Sequence, residues 1–143
     1  MKSTMRNLTL TALGALLLST PAQGAGLTAS LNEGKPDLKS LGPIAFGPEG
    51  ILFAADTKSA AVFAIATGDT APAKGATGLK VEGINQKIAG LLGTSADQIL
   101  INDLSVNPAS RNAYLAVLRG RGPDAVPVLI RVKAGGQLEA VSL

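Results

Sequence analysis

The fold is decided by residues 44–56, which read IAFGPEGILFAAD. Two short apolar runs, at residues 44–46 and 51–55, flank a Gly-Pro-Glu-Gly tetrapeptide whose composition suits a tight turn. A polar turn and a further apolar run at residues 61–65 follow directly. Three short strands joined by turns of about four residues predict an antiparallel meander.

A second stretch, residues 99–132, repeats this order of strand, Pro-containing turn, strand, polar turn and strand. The matching positions are Ile44, Phe46 and Pro48 with Leu104, Val106 and Pro108; Leu52, Phe53 and Ala54 with Tyr114, Leu115 and Ala116; and Phe63 and Ile65 with Ile130 and Val132. The offset grows along the chain, as loop insertions into a shared unit would produce. The alternative is coincidence, with two unrelated hairpins in a small β-sandwich or α+β domain.

One helix is predicted between the two copies. Ile84, Ile88, Leu91 and Leu92 have the spacing of one apolar helix face, and Gly93 suits the residue that ends a helix. We expect this helix to cover the rim or an edge of the sheet. The capping-box pattern of residues 95–98 predicts a second short helical turn, and short strands are expected at residues 27–31 and 140–143.

The N-terminus has the pattern of a secretory signal peptide over residues 1–24. Lys2 and Arg6 form a positive region, residues 8–18 are largely apolar, and Ala22 and Gly24 supply small residues for cleavage before Ala25. The apolar run is shorter than the roughly 20 residues that cross a bilayer, although a membrane anchor or a buried helix remains the alternative. The sequence therefore predicts a periplasmic or secreted protein with no membrane span in the mature chain.

The composition excludes several classes of chemistry. The chain has no Cys and no His, which rules out disulfides, thiolate nucleophiles, Ser-His-Asp triads and zinc sites built from Cys or His. Two of its 13 basic residues lie in the leader, so the remaining chain, with 10 acidic residues, is nearly neutral. That balance argues against nucleic acid as a partner.

The repeated unit resembles the blades of bacterial β-propellers of the NHL-like and YVTN-like kind, over roughly residues 40–68 and 100–143. In those families a segment like IAFGPEGILFAAD forms the inner strands of a blade. The resemblance implies an all-β fold with a short helical insertion: a lead-in at 25–39, a first blade at 40–68, a loop and helix at 69–98, and a second blade at 99–143.

The number of blades creates a difficulty, because propellers need about four to eight and this sequence supplies about two. The expectation is an incomplete propeller, the N-terminal portion of a longer protein. The alternatives are self-association of several short chains into a ring, or a complete small β domain that is not a propeller.

Two sets of polar residues are candidates for chemistry. The resemblance implies that Asn102 and Asp103, placed just before an inner strand, lie at one mouth of the central channel, where their oxygens could bind Ca²⁺. Arg119 and Arg121 lie in a Gly-rich loop and could hold a phosphate or carboxylate. The alternative for each set is an ordinary polar turn or loop tip, and Asp56 is likewise read as a turn residue with a possible role as ligand or base.

These observations favour a non-enzymatic exported binding module or scaffold for an unknown small molecule or protein. No catalytic residue and no cofactor are assigned, apart from the possible Ca²⁺. The alternatives are part of a propeller-class hydrolase, such as a Ca²⁺-dependent lactonase-like enzyme, and a small structural β domain.

Overall fold

A computed structural model describes residues 26–75 and 78–143, so the predicted signal peptide lies outside the described residues. The described chain is mostly β, with two antiparallel sheets and one helix, and the sheets form no closed barrel. Sheet A contains β1 (Ile44–Phe46), β2 (Ile51–Asp56) and β3 (Ala61–Ala66). Sheet B contains β4 (Ile99–Val106), β5 (Ala113–Arg119), β6 (Val126–Val132) and β7 (Leu138–Ala140), and the helix α1 spans Ile84–Leu92. The prediction of a mostly β chain with a short helical insertion is confirmed.

Sheet A is the predicted meander, with its strands in the order β1-β2-β3. Residues Pro48–Gly50 form a single 3-10 turn between β1 and β2, and the Gly47 N–H donates to the Ile51 carbonyl at 2.8 Å. Gly50 has φ of 69°, a left-handed conformation that glycine adopts without a steric penalty. The turn sets Ile44 opposite Ala54 and Phe46 opposite Leu52.

Sheet B has the order β4-β5-β6-β7 and contains a β-bulge in its first strand. Ile101 pairs with Val117 and Asp103 pairs with Ala116, so Asn102 has no partner across the ladder. The sequence prediction placed Asn102 and Asp103 before the strand, whereas β4 begins at Ile99 and includes both. Because the bulge adds one residue, the strand changes its facing there.

The helix α1 covers one face of sheet B instead of the predicted rim or edge. Ile88 and Ala89 are buried against residues of β4, β5 and β6. The bounds of the helix agree with the predicted spacing, and Gly93 ends it in a left-handed conformation with φ of 66°. The short turn that follows, Ala96–Gln98, is also present, but the Ser95 side chain makes no capping hydrogen bond.

Two other sequence predictions are wrong. The lead-in contains a 3-10 turn, Leu27–Ser30, in place of a strand, and its residues are exposed, so no apolar alternation is buried there. The last strand is Leu138–Ala140 and not residues 140–143. Among the described residues, no helix is long and apolar enough to cross a membrane.

The chain is layered in the order sheet A, sheet B, helix α1. One buried cluster lies between the two sheets and consists of Leu41, Ile44, Leu52, Ala54, Tyr114, Ala116 and Leu129. A second lies between sheet B and the helix. The Phe46 ring of sheet A meets the Tyr114 ring of sheet B edge-on, with 4.9 Å between centroids. Both faces of sheet B are therefore covered, whereas sheet A is covered on one.

Candidate functional site

The bulge in β4 directs two polar side chains at sheet A. The Asn102 side-chain amide donates to the Leu41 carbonyl at 2.6 Å. One carboxylate oxygen of Asp103 accepts the Ile44 N–H at 2.8 Å, and the other accepts the Leu104 N–H at 2.8 Å. These bonds fasten the first strand of sheet B to the chain around the start of β1.

The structure does bring Asn102 and Asp103 together, but in an arrangement that serves packing. Both Asp103 oxygens already accept backbone N–H groups, so a cation at this position would compete with the contacts between the sheets. Among the described residues, no three or more acidic side chains gather as a metal site would require. A Ca²⁺ role for Asn102 and Asp103 stays a prediction.

Arg119 reaches the last residue of helix α1, and Arg121 reaches the segment that follows the helix. Arg119, the last residue of β5, donates to the Leu92 carbonyl at 3.4 Å. Arg121 donates twice to the Asp97 carbonyl, from Nε at 2.8 Å and from Nη2 at 2.6 Å. The guanidinium of Arg121, which could bind an anion through two hydrogen bonds, thus donates both to a backbone carbonyl. Binding of a phosphate or carboxylate by these residues also stays a prediction.

A buried polar cluster is centred on Asp69, a residue that no sequence pattern singled out. Asp69 follows β3 and is 9% exposed. Its Oδ2 atom accepts hydrogen bonds from Ser110 Oγ at 2.7 Å, Tyr114 Oη at 2.9 Å and Asn112 Nδ2 at 3.0 Å. Its backbone carbonyl accepts a fourth, from Asn107 Nδ2 at 2.6 Å. The cluster therefore ties the chain leaving sheet A to the β4–β5 turn of sheet B.

The electrostatics of this cluster favour an ionised Asp69. Burial by itself raises the pKa of Asp69, but the hydrogen bonds from Ser110, Asn112 and Tyr114 and the nearby Arg131 charge outweigh it and lower the pKa. Burial likewise raises the pKa of Tyr114, whose hydroxyl donates to the carboxylate. Arg131 donates to the Tyr114 hydroxyl at 3.3 Å and pairs with Glu139 of β7.

Asp56 forms a second buried anchor, at the end of β2. It is 1% exposed and accepts hydrogen bonds from the Lys39 N–H at 2.6 Å, from Ser40 Oγ at 2.7 Å, from the Lys58 N–H at 3.0 Å and from both the N–H and the hydroxyl of Ser59. Burial would raise the pKa of Asp56, yet these donors hold the pKa well below its ordinary value of 3.8. The side chain organises the β2–β3 turn and secures the lead-in segment, the turn role that its position in the sequence favours.

The chemistry open to these groups is limited by their burial. Tyr114 is fully buried, both oxygens of Asp56 accept hydrogen bonds from the protein, and Oδ2 of the buried Asp69 accepts three. A general base needs a free lone pair within reach of a substrate proton. These carboxylates are arranged to hold the fold together.

Two of the open cavities on the described surface border the sheets. The larger, which we name the β3 cleft, has a volume of about 620 Å³ and lies between β3, the lead-in segment at residues 31–36, and Ser142 and Leu143. The smaller, the helix-side groove, has a volume of about 310 Å³ and is walled by apolar side chains, among them Leu79, Leu104 and Leu115. Four consecutive residues of β3 line the cleft, whereas the groove is lined by separate residues of several strands.

Comparisons with known proteins identify no relative. No protein-family model, no curated protein and no solved structure matches this chain significantly.

Proposed function

We propose that this protein is a non-enzymatic, extracytoplasmic binding module or scaffold of the β-propeller type, in which sheets A and B are neighbouring blades. Blades of a propeller pack face to face around an axis, and each blade presents equivalent faces in the same rotational sense. The observation that carries the proposal is the uncovered apolar face of sheet A, together with the position of the equivalent face in sheet B.

Strand pairing supports an equivalence between the two sheets. Phe46 pairs with Leu52 in sheet A, and Val106 pairs with Ala113 in sheet B. Aligning these hairpins sets Leu52 against Ala113, and hence Phe53 against Tyr114, one residue away from the sequence alignment. Leu52 then faces sheet B just as Ala113 faces the helix, so the two sheets present equivalent sides in the same direction.

We define the outer face of sheet A as the side turned away from sheet B. By the equivalence, this face corresponds to the face of sheet B that sheet A covers. The side chains of the outer face are all apolar: Ala45, Phe53, Ala55, Val62, Ala64 and Ala66, with Ile51 buried at one end of the face. Phe53 is 41% exposed and Val62 is 70% exposed. Their counterpart in sheet B, Tyr114, is fully buried because sheet A covers it. A sheet with one solvated face usually alternates apolar with polar residues, so this face is suited to contact with a further sheet.

The occupant that we propose for the outer face is the same outer face of a second copy of this chain, because both faces of sheet B are already covered in each copy. The contact between sheets A and B provides the template, since small alanines and one aromatic ring from each sheet meet there, as they would between two outer faces. The engagement of Asp56, Asp69 and Asp103 in internal hydrogen bonds supports binding over the alternative of a hydrolase.

Sedimentation velocity on the full chain across a dilution series tests this proposal. We expect a multimer that dissociates on dilution and is weakened about 100-fold by Val62→Lys, because an unpaired charge would be buried in the contact. Val126→Lys, the same substitution at an exposed valine of sheet B, is the matched control and should leave association unchanged. A monomer at every concentration, or equal effects of the two variants, would contradict the proposal.

A further inference from the structure

The two sheets differ by one strand at corresponding edges. In sheet B, β7 pairs with β6 by placing Ala140 opposite Ile130 and Leu138 opposite Val132. The positions that the repeat aligns with Ile130 and Val132 are Phe63 and Ile65, in β3. Within residues 26–75 and 78–143, sheet A has three strands, so β3 is an edge strand over the stretch that β7 covers in sheet B.

The backbone geometry identifies which groups of β3 are unpaired. The Thr67 N–H donates to the Gly50 carbonyl at 3.2 Å. Because hydrogen-bonded pairs alternate along an antiparallel ladder, the N–H and C=O groups of Phe63 and Ile65 point toward β2. Those of Val62, Ala64 and Ala66 therefore point away from the sheet.

The sequence of β3 leaves this edge unprotected. Exposed edges in natural sheets commonly carry a lysine, a proline or a bulge that discourages further pairing. β3 reads AVFAIA, with no charged residue and no proline, and its pairing with β2 runs without a break from Ala61 to Ala66.

The β3 cleft lies along this edge. Four consecutive residues, Phe63, Ala64, Ile65 and Ala66, line it. Because successive side chains of a strand point to opposite faces, a cavity that touches all four must follow the backbone edge and not one face. The opposite wall is formed by residues 31–36 and by Ser142 and Leu143. The cleft volume of about 620 Å³ lies within the usual range of about 300–1,000 Å³ for ligand sites.

We propose that the β3 cleft binds an extended peptide segment of a partner protein, which adds a fourth strand to sheet A by pairing with Val62, Ala64 and Ala66. This inference rests on the proposed role as a binding module and names the class of its ligand. Main-chain hydrogen bonds supply the affinity in this mode of recognition, and alternate side chains supply the specificity. A strand residue occupies about 160 Å³, from a rise of about 3.3 Å, a strand spacing of about 4.8 Å and a sheet thickness of about 10 Å. A cleft of about 620 Å³ therefore holds about four residues of one strand, which favours a short peptide over the sheet edge of a second copy.

The preferred side chains follow from the strand that fills the corresponding position in sheet B. There Leu138 and Ala140 are partnered with apolar residues, and Glu139 alternates with them. In the β3 cleft, the residues opposite Phe63 and Ile65 would share their face of the sheet and favour apolar groups. One acidic and one basic residue, Glu33 and Lys35, line the cleft, so strong net charge in the peptide is not required.

A tethered strand tests the inference in the full chain. Leu143 lines the cleft, so a C-terminal extension made of a short Gly/Ser linker and a copy of residues 137–141 is held near β3 at high effective concentration. Hydrogen exchange followed by NMR should show the amides of Val62, Ala64 and Ala66 slowed about tenfold or more by the extension. The amides of Phe63 and Ile65, already paired with β2, should change little.

Two controls isolate the backbone pairing. An extension of equal length with proline at alternate positions lacks the donors for a ladder and should give no slowing. Ala64→Pro in β3 removes one outward N–H without removing a bond to β2, whereas Ala64→Val keeps it; only the proline variant should abolish the effect. If Ala64→Pro fails to fold, the proline-bearing extension still provides the comparison.

Three results would overturn the inference. One is unchanged exchange of the three amides with the extension in place, and another is equal slowing by the proline-bearing extension. The third is a dimer of the unextended chain that persists in Val62→Lys and that Ala64→Pro, but not Ala64→Val, abolishes, which would identify a second copy paired with the β3 edge as the occupant. Repeating the exchange measurement in the Val62→Lys variant, with the amides of Ala64 and Ala66 as reporters, separates strand addition from association through the outer face.

Discussion

Replacing Asp69 by alanine tests how much the polar cluster contributes to the stability of the contact between the two sheets. The substitution removes the acceptor for Ser110, Asn112 and Tyr114, of which Ser110 and Tyr114 are themselves buried. Hydrogen bonds to charged groups contribute about 1.5–3 kcal/mol each, and contributions within one network are not additive. We therefore expect Asp69→Ala to lower the free energy of unfolding by about 3–5 kcal/mol.

The assay is urea unfolding at neutral pH. With a slope of about 1.5 kcal/mol/M, the expected loss moves the midpoint by about 2–3 M. Asp37→Ala is the matched control, because Asp37 pairs only with Lys39 and its side chain is 81% exposed; it should cost less than about 1 kcal/mol. Equal losses for the two variants would refute the view that the cluster fastens the sheets.

The pH dependence provides an independent check on the same carboxylate. The pKa of Asp69 in the folded protein lies below the ordinary value of 3.8, so its contribution to stability is complete above that value. The contribution is lost as the pH falls through the lower folded pKa. The difference in unfolding free energy between the wild type and Asp69→Asn should therefore be constant near neutral pH and shrink in acid below pH 3.8. A difference that grows with acidity would contradict this assignment.

Two further predictions concern the bulge and the helix. Asp103→Ala leaves the Ile44 and Leu104 N–H groups without their acceptor and should lower the free energy of unfolding in urea by about 1–3 kcal/mol. If the role of Asp103 is structural, calorimetric titration of the wild type with calcium should show no binding that depends on this residue. Tight calcium binding that Asp103→Ala abolishes would instead support the metal prediction. In helix α1, Gly90→Ala should stabilise the folded protein by about 0.5–1 kcal/mol, since no atom lies within 4 Å of the added carbon. Gly93→Ala should destabilise it by a similar amount, because φ is 66° at that residue. Thermal unfolding midpoints that shift in the same direction for both variants would contradict the assigned helix end.

The elements that the sequence predicted are those governed by neighbours along the chain. The apolar spacing from Ile84 to Leu92 and the glycine after it define helix α1, and the Pro/Gly tetrapeptide defines the first hairpin. The strand predicted at residues 27–31 was wrong because no side chain there is buried, so a local 3-10 turn forms in place of a strand.

The contacts of the candidate site required information that local patterns do not carry. Asp69 is separated from Ser110, Asn112 and Tyr114 by 41, 43 and 45 residues, so the sequence around Asp69 does not indicate its hydrogen-bond partners. Asn102 and Asp103 were identified as notable from sequence, but their partners in sheet A were not, because the bulge that aims them is a property of the pairing with β5. Arg119 and Arg121 were identified as a loop pair, and their contacts with the carbonyls at the end of α1 and after it depend on how the helix packs.

Tyr114 makes the contact between the two sheets visible to optical spectroscopy. The sequence has one tyrosine and no tryptophan, so ultraviolet emission above the weak phenylalanine background arises from a single ring. That ring meets Phe46 edge-on across the two sheets, and its hydroxyl donates to Asp69. Near-ultraviolet circular dichroism of the unlabelled protein thus reports the docking of sheet A on sheet B, whereas the far-ultraviolet signal reports the strands. An intermediate in which both sheets are formed but not yet docked would lose the near-ultraviolet signal and keep the far-ultraviolet signal.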